Sequence, residues 1–142
     1  MLLGSVAQGV LDYSKCPVLL VRPGSIAVNT VVVGIDGSKE ALAALQFVQG
    51  LSLAKDALLV LMRVVQLISM KSEAWGTTNS AFGMEASRLN DEAMRKAEAD
   101  IAAAQAVLTP DHQTVLNEVE SGRPGEQLIK AAVERQADLI VV

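Results

Sequence analysis

The chain has one cysteine, Cys16, one histidine, His112, and only one Trp, one Tyr and two Phe among its 142 residues. A single thiol excludes an internal disulfide and fits a reducing compartment, so a cytoplasmic protein is expected. Cys16, before a proline and beside an apolar run, reads as buried and inert. With no second His or Cys placed near it, His112 reads as a solvated loop residue, and no metal site is expected. Basic charge is also short: 12 Lys and Arg against 16 Asp and Glu leave a net charge of -4. Without a basic stripe, nucleic acid is excluded as a partner. No apolar run approaches the roughly 20 residues that cross a bilayer. The apolar N-terminus lacks a leading basic region and is broken by Asp12, Lys15 and Pro17, so no targeting or membrane segment is expected. Hydrophobic residues make up 51% of the chain but aromatics only 3%, so the core has to be layered from Val, Leu, Ile and Ala, as helices on a sheet are.

The most informative stretch is Thr30 to Ser38, TVVVGIDGS. Val31, Val32, Val33, Gly34 and Ile35 form a continuous apolar run, which suits a strand buried on both faces of a parallel sheet. Asp36-Gly37-Ser38 then reads as a tight turn into a helix, with Ser38 as its cap and Glu40 in the first turn. Such a strand delivers Asp36 to the carboxyl edge of the sheet, where ligands of open α/β folds bind.

Ahead of that strand, Val6, Val10 and Leu11 fall at helical spacing from a Ser5 cap to about Tyr13, and Val18 to Val21 is a short buried strand. Arg22-Pro23-Gly24-Ser25 signals a turn or linker. After it, Leu42, Leu45, Val48 or Gln49, and Leu53 mark a helix stripe that Gly50 interrupts, and Ala57 to Val65 is a second two-sided strand. Residues 66–83 read as a long loop, in which Trp75 is either a lid contact or, as the favoured reading, an incidental surface or core-edge residue. Met84 to Leu108 is a helix with Asp91–Arg95 and Glu92–Lys96 pairs on its wet face. Thr114 to Val119 alternates as a strand, Gly122 and Pro124 make a turn, and Leu128, Ile129, Ala132 and Val133 form the apolar stripe of a last helix. Leu139 to Val142 is a further apolar strand, and the chain is expected to stop inside it.

These pieces resemble the universal stress protein family. VVVGIDGS, LLVLMRVV, the Gly-x-Pro turn at Gly122 and Pro124, and ADLIVV stand in the family's order. GSVAQGVLDYSKCPVLLVRP is similar to the family's last helix and strand, where Gly-Ser closes the phosphate pattern G-x2-G-x9-G-[S/T]. The resemblance implies an α/β fold with an open parallel five-stranded sheet in order 3-2-1-4-5, helices on both faces, and the last helix-strand unit placed at the N-terminus. Residues 1–22 are that unit, 23–29 a linker, and 30–142 strands one to four. A junction within a tandem two-domain protein is favoured over a permuted domain, because Arg22-Pro23-Gly24 looks like an interdomain linker. Strand five would lie about 10 Å from strand one, and the linker must return roughly 17–20 Å. Pro23 to Asn29 spans about 23 Å when extended, so the N-terminal unit is expected to complete another chain's sheet in a domain-swapped homodimer.

The resemblance further implies ATP as ligand, with Mg, in a stress response. Asp36 would lie near ribose and adenine, with Gly34 beside it; Val64 would be a backbone contact to adenine, and Gly4, Ser5 and Val6 would end the phosphate pattern. Two of the three glycines of that pattern have no counterpart here. A non-nucleotide dimerisation or interaction module of the same fold is the alternative, in which Asp36-Gly37-Ser38 and Gly4-Ser5 are only turn and cap. A phosphoacceptor receiver is excluded, because PVLLVRP has no Lys and Glu118-Val119-Glu120 offers no Asp after the third strand. No nucleophile–base or carboxylate pair stands out, so weak ATP hydrolysis is the most enzymatic activity expected.

Overall fold

The computed structural model describes residues 4–20, 27–51, 53, 56–68, 81–108 and 114–142. Four apolar segments pair as a parallel sheet: β1 (Thr30–Gly34), β2 (Leu58–Val65), β3 (Thr114–Ser121) and β4 (Leu139–Val141). Their order across the sheet is β3-β2-β1-β4. The helices are α1 (Ser5–Tyr13), α2 (Lys39–Gln49), α3 (Ala81–Val107) and α4 (Pro124–Glu134). Among the described residues no helix is long and apolar enough to cross a membrane.

The two-sided character of the central strands sets the layering. Val31, Val32 and Val33 are all fully buried, but alternate residues serve opposite faces. Val31, Val33, Leu59 and Leu61 pack against Leu45 and Val48 of α2 and Ile101 and Ala104 of α3. Val32, Val60, Met62 and Val64 pack against Leu128, Ala131 and Ala132 of α4. Register joins the strands row by row, Val32 facing Val60 on one side and Ile140 on the other. The Asp138 carboxylate ties the amino edge by accepting from the Asn29 and Thr30 backbone N–H groups at 2.8 and 3.0 Å.

Helix ends follow local chemistry. Ser38 Oγ accepts from the Ala41 N–H at 3.0 Å, and Gly50 is the residue that ends α2 rather than an interruption inside it. Pro124 opens α4, where its missing N–H leaves nothing unsatisfied. That helix ends with Gln136 at φ 51°, while the Ala137 N–H donates to the Ala132 carbonyl at 2.8 Å and the Gln136 N–H to that of Val133 at 3.2 Å. This is the paired closure of a helix on a left-handed residue.

Several expectations are corrected. The described sheet has four strands, not five. Val18, Leu19 and Leu20 remain exposed without strand pairing, because a three-residue segment with no neighbouring strand has no ladder to join. Helix α1 forms over the expected residues but buries none of them, and Gly4 rather than Ser5 is its cap. Cys16 is exposed, for the same reason. On α3, Arg88 pairs with Glu85 and Glu92, and neither expected pair is among the ion pairs of the described residues. Arg88 reaches both carboxylates along one face, three and four residues away. On α4, Ala131 replaces Ile129 and Val133 in the buried stripe, so the helix is turned away from the expected face. Trp75, His112 and Val21 to Ser25 lie outside the described residues.

Candidate functional site

The ladder between β1 and β2 closes where the Ile35 N–H donates to the Met62 carbonyl at 2.8 Å. Beyond it the backbone leaves the sheet, and Asp36 turns the chain onto α2. The Asp36 carboxylate accepts from the Ser38 N–H at 2.8 Å, an Asx-turn that leaves most of its lone-pair capacity available. Hydrogen bonds from Ser38, through side chain and then backbone, hold this carboxyl below the usual carboxylate range, helped by the charge of Arg63. It is an exposed acceptor, ionised at neutral pH.

Gly37 makes this turn possible. Its φ is 82°, and a Cβ there would stand 2.6 to 2.8 Å from the Asp100 carboxylate. Asp100, on α3, in turn accepts from Arg63 Nε at 3.1 Å in a largely shielded pair. The Arg63 Nη1 donates at 2.9 Å to the Val64 carbonyl. Turn, helix α3 and the end of β2 are thus fastened together by one guanidinium.

Around this corner opens a crevice of about 420 Å³, lined by the ends of β1 and β2, the start of α2, and Pro124, Gly125 and Leu128 of α4. Of the residues singled out in the sequence, Gly34, Asp36 and Val64 meet in its wall. Gly34 is where a side chain would crowd α4, since a Cβ would lie 3.2 Å from Leu128 Cδ1. Gly4, Ser5 and Val6 are not brought to the crevice; they stand exposed at the start of α1. Arg63, Glu40, Val142 and the Pro124-Gly125 helix start were not singled out as lining. Arg63 had a signal, as the one charge inside ALLVLMRVV. Among the described residues, no cluster of three or more His, Cys, Asp or Glu is placed to hold a metal ion.

A parallel sheet in this order, with an Asp turn at the end of β1 and a Gly-x-Pro turn opening α4, is also the arrangement in which the sequence matches a known family: residues 27–142 fit the Universal stress protein family. The chain belongs to the universal stress protein family. A universal stress protein family member from Burkholderia pseudomallei is 28% identical with TM-score 0.60, over 83% of this chain and 82% of that one. The universal stress protein UspA from Lactobacillus plantarum has the same fold with TM-score 0.62 at 24% identity, over 82% of this chain and 77% of that one. No curated protein matches the chain significantly. In this universal stress protein domain the four strands and their covering helices are accounted for, and the crevice lies at their carboxyl ends.

Proposed function

We propose that this universal stress protein domain binds a nucleotide of the ATP class in a cytoplasmic stress response, at the crevice between Asp36, Val64 and the start of α4. The observation that carries the reading is the convergence of an ionised, exposed Asp36 with Gly34 and Val64 in one wall. A carboxylate there suits ribose hydroxyls, and the second lone pair of the Val64 carbonyl suits an exocyclic amine. Pro124 and Gly125 at the start of α4 line the crevice, and the free N–H groups of a helix start favour a phosphate. Magnesium would arrive with the phosphates rather than on a protein ligand cluster. The domain works as a homodimer through exchange of its N-terminal helix and strand.

Calorimetric titration of ATP, with and without magnesium, tests this. Asp36→Asn should weaken binding by roughly tenfold or more, since a hydrogen bond to a charged group is lost. Equal affinity of the two proteins, or none in the wild type, would overturn the reading. A non-nucleotide assembly module is the second reading, favoured by Gly4 and Ser5 not being among the residues that line the crevice and by Arg63 being already engaged with Asp100.

A further inference from the structure

The crevice is short of available positive charge. Among the described residues that line it Arg63 is the one cation, and it is already engaged: Nε donates to the Asp100 carboxylate at 3.1 Å and Nη1 to the Val64 carbonyl at 2.9 Å. Asp100 cancels its charge. Two further carboxylates line the crevice, Asp36 at the turn and Glu40 in the first turn of α2, and both are exposed. Their two negative charges are left over. The neighbouring cations do not change this: Arg123, just ahead of Pro124, donates to Glu126 at 2.7 Å, and Lys39 is exposed but not among the lining residues. The rest of the wall is largely apolar, with Ile35, Met62, Leu128 and Val142.

Such surroundings treat the parts of a nucleotide unequally. A base gains from the apolar wall, and ribose hydroxyls gain from Asp36. A first phosphate has a place at the start of α4, where a helix terminus favours one anion. Phosphates beyond the first are held in other proteins by Lys, Arg or a metal ion. Here they meet no uncommitted cation among the described lining residues, and each adds charge in the field of Asp36 and Glu40. We propose that the crevice selects its ligand by phosphate number, holding an adenine nucleoside monophosphate more tightly than the diphosphate or triphosphate.

This rests on the nucleotide reading of the crevice and narrows its ligand: ATP enters, but as the weaker binder. Asp36 serves the ribose at hydrogen-bond range, where its attraction outweighs its repulsion of more distant phosphates. Glu40 contributes repulsion alone. A site of this kind fills as triphosphate is broken down to monophosphate.

The sign of the salt dependence tests the cause. A site that grips phosphates with cations loses affinity as salt rises, whereas one whose carboxylates repel them gains it. Adenosine, AMP, ADP and ATP are titrated calorimetrically into the full chain with a metal chelator present, at low salt and at about 0.5 M salt, where charges are screened within a few Å. At low salt each phosphate beyond the first should weaken binding by roughly twofold or more, as repulsion between unit charges through water allows. High salt should strengthen ATP binding. Glu40→Gln should narrow the ratio of AMP to ATP affinity, and the charge-preserving Glu40→Asp should keep it. Metal-free ATP binding as tightly as AMP, or weakening as salt rises, overturns the selection by phosphate number and leaves the nucleotide reading standing. If neither adenosine nor any of its phosphates binds, the nucleotide reading is refuted and the selection falls with it.

Discussion

Replacing Gly37 by alanine should be among the most damaging single-methyl changes in this protein. Two independent terms act. At φ 82° an L side chain is strained, and a left-handed residue is disfavoured by about 1–2 kcal/mol. The new Cβ would also stand 2.6 Å from an Asp100 carboxylate oxygen, so Asp100 has to leave Arg63, from which it accepts at 3.1 Å. The pair is largely shielded, with side chains 20% and 14% exposed, and losing a hydrogen bond to a charged group costs about 1.5–3 kcal/mol. The sum is about 2.5–5 kcal/mol, measurable as a lower urea midpoint at unchanged slope. A double-mutant cycle separates the terms. In an Asp100→Ala background the clash is gone, and Gly37→Ala should then cost only the backbone part, about 1–2 kcal/mol. Equal penalties in the two backgrounds would refute the coupling of the Asp36 turn to the Arg63–Asp100 pair.

Other perturbations have defined signs. Gln136→Gly should stabilise by about 1 kcal/mol, seen as a higher Tm, because Gln136 holds a left-handed φ that glycine adopts freely. Ser38→Ala should cost about 1 kcal/mol in chemical denaturation, since the Ala41 N–H loses its acceptor. Asp138 is held below its usual 3.8 by hydrogen bonds from the Asn29 and then the Thr30 backbone. Its contribution is complete above that unfolded value and is lost as pH falls through the lower folded one. The Tm difference between wild type and Asp138→Asn should therefore shrink on acidification, and a constant difference from neutral to strongly acidic pH would contradict this.

The strands were legible because β-branched runs such as Val31-Val32-Val33 suit a two-sided environment, which the sheet then supplies. The Asp36 turn and Ser38 cap were legible because their chemistry is local: the bonds they make span two and three residues. What failed was long-range. Nothing in PVLLV distinguishes a strand that has a neighbour from one that lacks it. The rotation of α4 depends on whether a further layer covers Ile129 and Val133, and helical spacing alone fits both rotations. Arg63 and Asp100 are 37 residues apart and meet only because α3 packs on β2. Their partnership, which fastens the wall of the crevice, has no periodic signature.

The Asp138 clasp joins positions 108 residues apart along the chain. During synthesis β1 leaves the ribosome before the other three strands, and β2 can cover one of its edges soon afterwards. The other edge waits for β4. At about 5–20 residues per second that interval lasts roughly 5–20 s, during which Val31, Val32 and Val33 form a strand open on one side. The nascent chain thus passes through a sticky intermediate of known location, and a holding chaperone that protects it should be needed until Asp138 has emerged.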